Sequence, residues 1–157
     1  MDEKGLVRRC RAGDRAARQE MYETYAGRLL AVCRRYIREP DRARDLVHDT
    51  FLKAWDSLDG FRPRRAGSLG AWLSQIAAHL AVDELRRRKP LFPLDGESPL
   101  PEGYRAVFNL FCLDGLSHRE IARLLGITEK TSQTQFLKAR RKLAALIAAK
   151  YGKDEKD

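Results

Sequence analysis

A chain of 157 residues with a formal net charge of +9 is long enough to bury a real core, as one domain or as two small ones. Helix formers dominate, Gly and Pro gather at a few joints, and no segment alternates apolar and polar residues long enough for a sheet, so an all-α fold is expected. The start, Met-Asp-Glu-Lys, has no apolar run and nothing approaches a membrane span, which sets aside a secreted or membrane-embedded protein and points to the cytoplasm.

The charge is localised. Residues 60–90 and residues 117–142 each hold seven Lys or Arg against two Asp or Glu, and the remainder is about neutral, which argues for two separate contacts with a polyanion. Cys10, Cys33 and Cys112 are distant from one another and odd in number, and they fall on expected apolar faces. They read as buried reduced thiols. His48, His79 and His118 lack ligand spacing, so no metal and no other cofactor is expected.

In chain order, residues 2–11 read as a short helix with Leu6, Val7 and Cys10 inward, ended by Gly13, with Asp14 capping the next. That second helix carries Met21, Tyr22, Tyr25, Leu29, Leu30, Val32, Cys33, Tyr36 and Ile37 on a broad apolar face, and Pro40 is expected to stop it. A third helix, from Asp41 to about Leu58, turns Ala43, Leu46, Val47, Phe51, Ala54 and Trp55 inward. Its other face is mixed: Asp45, His48, Asp49, Leu52, Lys53 and Asp56, where an apolar Leu52 among charges suits either a solvated face or a partner-binding one.

A loop with Arg62, Arg64 and Arg65 beside Pro63 and Gly67 follows. Ser68 is placed to cap a fourth helix from Leu69 to about Lys89, with Trp72, Leu73, Ile76, Leu80 and Leu85 inward and Arg86, Arg87, Arg88 and Lys89 as a basic tail. One or two cations would complement the helix dipole; four exceed that need and suit a nucleic-acid backbone. Pro90, Pro93, Pro99 and Pro101 then mark a helix-free linker. The expected organisation is a domain over 1–89, a linker over 90–101 and a domain over 102–152.

In the second domain, residues 103–115 form a short apolar helix ended by Gly115. Ser117 and Glu120 make a capping box, in which the glutamate reaches back to the N–H of the cap, and Ile121, Ala122, Leu124 and Leu125 form the stripe of the helix it starts. Gly126 supplies the turn, and Thr128 caps a last helix with Phe136, Ala139, Leu143 and Leu146 inward. Outward stand Lys130, Gln133, Thr134, Leu137, Lys138 and Arg141, the donors, acceptors and single apolar contact that a major groove accepts. Cap, small residue, glycine and second cap at this spacing point to a helix-turn-helix and to DNA.

Taken together, Asp45-Leu46-Val47-His48-Asp49-Thr50-Phe51-Leu52-Lys53-Ala54-Trp55, Ala71-Trp72-Leu73 with Asp83-Glu84-Leu85-Arg86-Arg87, and Leu100-Pro101-Glu102-Gly103-Tyr104-Arg105 with Ser117-His118-Arg119-Glu120-Ile121-Ala122 resemble the bacterial sigma-70 family, group IV, the extracytoplasmic-function (ECF) branch. The resemblance implies a promoter-specificity subunit without chemistry or a small-molecule substrate of its own. Asp45, His48, Asp49, Leu52, Lys53 and Asp56 would dock on the clamp helices of the largest subunit of core RNA polymerase. Arg62, Arg64, Arg65 and Ser68 would hold a flipped base of melted non-template DNA, and His79 with Arg86, Arg87 and Arg88 would lie along the minus-10 element. Arg119, Lys130, Gln133, Thr134, Leu137, Lys138 and Arg141 would approach the minus-35 element, and an anti-sigma factor is implied as a further partner.

The chain departs from the family pattern in three places. His79 stands where asparagine is frequent, and Ser132 and Gln135 stand where many relatives carry an apolar residue and an arginine, which predicts weaker packing and one phosphate contact fewer. The family also usually has another helix before Leu100; here about a dozen residues separate the domains, so the second domain stands on three helices or the chain as given lacks a segment. Two other functions compete: a free-standing helix-turn-helix regulator, and a metal-dependent nucleic-acid enzyme using Asp45, His48 and Asp49, which lack an evident third ligand.

Overall fold

The computed structural model describes residues 2–88 and 102–152. Among these are seven α-helices and one 3-10 turn, with no strand. The expected linker over 90–101, and Lys89 before it, lie outside the described residues. The chain divides into two compact units, residues 1–81 and 82–157, so the division falls inside the fourth helix.

The first unit contains α1 (Glu3–Arg11), α2 (Arg15–Arg34), α3 (Pro40–Asp56), the 3-10 turn Leu58–Gly60 and the start of α4 (Ser68–Arg88). Gly13, at φ +82°, turns the chain out of α1, and the Asp14 carboxylate then accepts the N–H groups of Ala16 and Ala17 at the start of α2. The apolar period of α2 outruns the helix. It ends at Arg34, short of the stop expected at Pro40, and the N–H groups of Tyr36 and Ile37 close on the Cys33 carbonyl in a tight turn that still buries both side chains. Pro40 begins α3 instead, because the first helical position needs no N–H donor and suits the fixed φ of proline.

Leu6, Met21, Leu29, Ile37, Phe51, Leu58, Leu69 and Leu73 are almost fully buried in this unit. Each is worth about 1.5–3 kcal/mol against its exposed state. In α4 the buried stripe is Leu69, Leu73, Ala77 and Ala81, whereas Trp72, Ile76 and Leu80, expected inward, are only half-buried, as is Trp55 on α3. The bulky residues of α4 thus flank a stripe of leucine and alanine, and close approach is what the alanines permit. Ser68 does not cap α4: it is the first helical residue, and its buried hydroxyl has no hydrogen-bond partner among the described residues.

The second unit holds the last turns of α4 with α5 (Glu102–Cys112), α6 (His118–Leu125) and α7 (Glu129–Tyr151). Val107, Leu110, Leu116, Ile121 and Ala139 are fully or almost fully buried, and the 102–152 region stands on three helices. Leu146, expected inward, is 43% exposed, and the other described residues of α7 after Leu143 are exposed too; Phe136 and Leu143 are half-buried. Cys112, also expected inward, sits exposed at the end of α5, while Cys10 and Cys33 are buried.

Burial raises the Cys10 thiol above its ordinary pKa, so it resists thiolate formation at neutral pH. A thiol reagent at neutral pH is therefore expected to modify one cysteine rapidly in the folded chain and all three in denaturant. Two or three fast thiols in the native state would contradict the burial of Cys10 and Cys33.

Candidate nucleic-acid interface

Positions 45, 48, 49, 52, 53 and 56 fall three and four residues apart on α3, and all six side chains are exposed together on one face. The opposite face is sealed by Ala43, Leu46, Val47, Phe51 and Ala54, and Thr50 is buried there with its hydroxyl donated to the Leu46 carbonyl at 2.7 Å. Leu52 is 59% exposed in the middle of the charged face. Two residues that the periodicity assigned to the core also reach this surface region. Tyr22 of α2 is half-buried, its hydroxyl 2.9 Å from Nε2 of His48, and Trp55 lies under the Arg18 guanidinium at 5.3 Å. Both contacts join two helices, so no pattern within a single helix announces them.

The basic loop lies over an open recess of about 1000 Å³ lined by Phe61, Arg62, Arg64, Arg65, Trp72 and Gln75 among others. Phe61 and Trp72 stack at 4.7 Å between ring centroids and 26° between planes, forming an aromatic wall under three exposed arginines. Arg62 bonds the carbonyls of Asp59 at 2.6 Å and Phe61 at 3.0 Å, which holds its stem against the turn. Ser68 also lines the recess. Trp72 was expected inward, since an aromatic in an apolar helical period looks like core.

Of the other expected minus-10 residues, His79 does not line this recess and is exposed farther along α4, on the side of Gln75; Arg86, Arg87 and Arg88 are exposed in the last turn of the helix. Arg87 pairs with Asp83, an exposed i,i+4 pair that a phosphate could displace at small cost, and Arg88 pairs at 2.9 Å with the largely buried Glu84. Within the second unit, Arg86 donates to the Leu124 carbonyl.

In the helix-turn-helix, the Ser117 hydroxyl accepts the Glu120 N–H at 3.1 Å and donates to Oε1 of Glu120 at 3.1 Å. The glutamate therefore meets the hydroxyl of the cap, where the sequence had placed it on the backbone N–H. Gly126 takes the left-handed conformation at φ +70°, and the N–H of Ile127 returns to the Ala122 carbonyl at 3.0 Å. Thr128 then accepts the Thr131 N–H at 3.0 Å to start α7. Lys130, Gln133, Thr134, Leu137, Lys138 and Arg141 are all exposed along one stripe of α7, and Arg119 is exposed on α6. Thr134 gives its proton to the Lys130 carbonyl and so presents an acceptor outward, while the Lys138 ammonium rests 5.8 Å from the Tyr104 ring.

Ser132 bridges α6 and α7. It is fully buried, with its hydroxyl 2.8 Å from Nδ1 of His118, the first residue of α6. The imidazole is stacked on Phe111 at 4.4 Å and meets the edge of Phe136 at 5.7 Å. A polar bond between the two helices thus stands where an apolar contact was expected. Gln135 is half-buried, and its Oε1 has no hydrogen-bond partner among the described residues.

Among the described residues, no group of three or more His, Cys, Asp or Glu is arranged to hold a metal, and no helix is long and apolar enough to cross a membrane. Residues 21–90 match the family model of Sigma-70 region 2, and residues 99–143 match that of Sigma-70, region 4. The ECF RNA polymerase sigma factor SigW of Bacillus subtilis is 27% identical over 148 residues, covering 94% of this chain and 77% of that relative. SigM of Mycobacterium tuberculosis is 29% identical over 158 residues, covering 87% of this chain and 80% of that relative. The solved structure of CnrH in complex with the cytosolic domain of CnrY is 30% identical, with a TM-score of 0.54 over 92% of this chain and 96% of that one. The sigma factor RpoE of Bartonella quintana, solved with the anti-sigma factor NepR, is 23% identical with a TM-score of 0.54 over 82% of this chain and 95% of that one, a likeness of fold alone.

Ser132→Ala would leave the half-buried His118 nitrogen without its partner, at an expected cost of about 1–2 kcal/mol in a urea melt followed by circular dichroism. A double-mutant cycle with His118→Ala should return a coupling of about 1 kcal/mol. Additive losses would contradict the bond.

Proposed function

The chain belongs to the group IV, extracytoplasmic-function branch of the sigma-70 family, and from that premise we propose that it guides core RNA polymerase to promoters by reading minus-35 and minus-10 elements and capturing melted non-template DNA. It acts in transcription initiation as a DNA-binding regulatory subunit and not as an enzyme. In the proposed division of labour, residues 1–89 take the polymerase and the minus-10 element, residues 102–152 take the minus-35 element, and residues 90–101 join them.

The observation that carries the proposal is the pairing of two unlike nucleic-acid surfaces in one chain. Around Phe61 and Trp72, an aromatic wall beneath Arg62, Arg64 and Arg65 offers a stacking platform and cations, which suits an unpaired base and its phosphates. Such stacking is worth about 1–3 kcal/mol per base. From there His79, Arg86, Arg87 and Arg88 follow the strand along α4. On α7, Lys130, Gln133, Thr134, Leu137, Lys138 and Arg141 make a stripe for a duplex groove, with Arg119 of α6 toward the backbone. Gln133 suits adenine and Lys138 suits guanine, provided that each faces a base edge.

Asp45, His48, Asp49, Leu52, Lys53 and Asp56 form the proposed contact with the clamp helices of the polymerase. A protruding leucine ringed by charges has the composition of an interface centre with a polar rim. Partners would also include an anti-sigma factor, since CnrH is solved with the cytosolic domain of CnrY.

Run-off transcription by core polymerase on a pool of promoter fragments tests this. The wild-type chain is expected to start transcription at defined sequences, and Asp49→Arg with Leu52→Glu should lower initiation by roughly tenfold or more, as expected when central interface contacts are lost. If the chain gives no initiation but alone retards specific DNA, it is a free-standing regulator.

A further inference from the structure

Residues 61–67, which carry Arg62, Arg64 and Arg65, belong to no helix, yet the backbone at both ends of the segment is tied to α1. At the near end Arg11, the last residue of α1, donates from Nε to the Leu58 carbonyl at 3.1 Å and from Nη2 to the Phe61 carbonyl. At the far end the N–H of Gly67 donates to Oε1 of Glu3, the first residue of α1, at 3.0 Å. Gly67 stands at φ +86°, a left-handed conformation that side chains rarely adopt, and its N–H meets Glu3 as the chain enters α4. Burial, and after it the neighbouring Glu3 carboxylate, raises the phenol pKa of Tyr25, which is 7% exposed on α2, so the far tie stands beside the core.

Glu3 and Arg11 are eight residues apart on one helix, which fixes a spacing of roughly 12 Å between the two ties. Both ties end on backbone atoms of the loop or the turn before it, so they set its course whatever its side chains do. Phe61, one wall of the recess, is held by its own carbonyl.

We infer that α1 is a brace for the basic loop, with Glu3 and Arg11 as positioning residues that set the width of the Phe61–Trp72 recess and hence its grip on an unpaired base. This rests on the proposed role of the loop in minus-10 DNA. Arg11 is suited to the task because a planar guanidinium can serve two carbonyls at once, which a lysine ammonium on its flexible stem does poorly.

The test uses holoenzyme assembled from core polymerase and the full chain. The probe is fork-junction DNA with a duplex minus-35 element and a single-stranded non-template minus-10 segment. Affinity is read by fluorescence anisotropy, in parallel with affinity for core polymerase. Glu3→Ala and Arg11→Ala are each expected to weaken fork binding roughly tenfold while core affinity is unchanged. Glu3→Gln keeps an acceptor for the Gly67 N–H and should stay within about twofold of wild type. Hydrogen exchange at the Gly67 amide should accelerate in Glu3→Ala and not in Glu3→Gln.

Wild-type fork affinity in Glu3→Ala and Arg11→Ala, with a loss in Arg64→Ala/Arg65→Ala, overturns the brace and leaves the loop's role standing. Equal losses of fork and core affinity also overturn it, because they mark a general fault of the fold. No loss in Arg64→Ala/Arg65→Ala overturns the loop's role and the brace with it.

Discussion

The seal between α2 and α3, centred on the fully buried Phe51 with Leu46, Val47 and Ala54 around it, is what the first unit depends on. With that side of α3 closed, the helix has one face left, on which Asp45, His48, Asp49, Lys53 and Asp56 stand with Leu52. An exposed leucine forgoes about 1.5–3 kcal/mol of burial. A partner that covers it would recover part of that. On α7, buried Ser132 and Ala139 likewise leave Lys130, Gln133, Thr134, Leu137, Lys138 and Arg141 outward. Core and proposed function are thus two sides of the same helices, and a change to either is felt by the other.

Electrostatics divides along similar lines. Many of the cations are already engaged: Arg9 with Glu20, Arg11 with two carbonyls, Arg87 with Asp83 and Arg88 with Glu84. The exposed pairs among these, Arg9 with Glu20 and Arg87 with Asp83, contribute little stability, so exchanging their carboxylate for a phosphate costs little. Arg64 and Arg65, exposed beside an aromatic wall, are placed to supply the salt-sensitive part of binding, because each phosphate they neutralise releases a counterion.

Features that repeat within one helix were legible in the sequence: the six-residue face of α3, the stripe of α7, and the Ser117, Gly126 and Thr128 signals of the helix-turn-helix. Features that depend on two elements were not. Pro40 looked like a terminator because proline stops a helix, but it serves equally well as a first residue. Trp72 looked like core because apolar period does not reveal that alanines occupy the buried stripe. Cys112 and Leu146 are exposed near the ends of α5 and α7, and an apolar period continues there without notice. The bond from His118 to Ser132 and the ties from α1 to the loop join residues 14 to 64 positions apart, and nothing local predicts them.

The central claim is that one chain holds an unpaired strand near Trp72 and a duplex near Leu137 in the same open complex. A photocrosslinking amino acid placed at position 72 or at position 137 of the full chain, in holoenzyme on promoter DNA, tests it most directly. Position 72 is predicted to crosslink to the non-template strand of the melted minus-10 segment, and position 137 to the minus-35 duplex. Crosslinks from both positions to a single element, or from position 72 to duplex DNA alone, would contradict it.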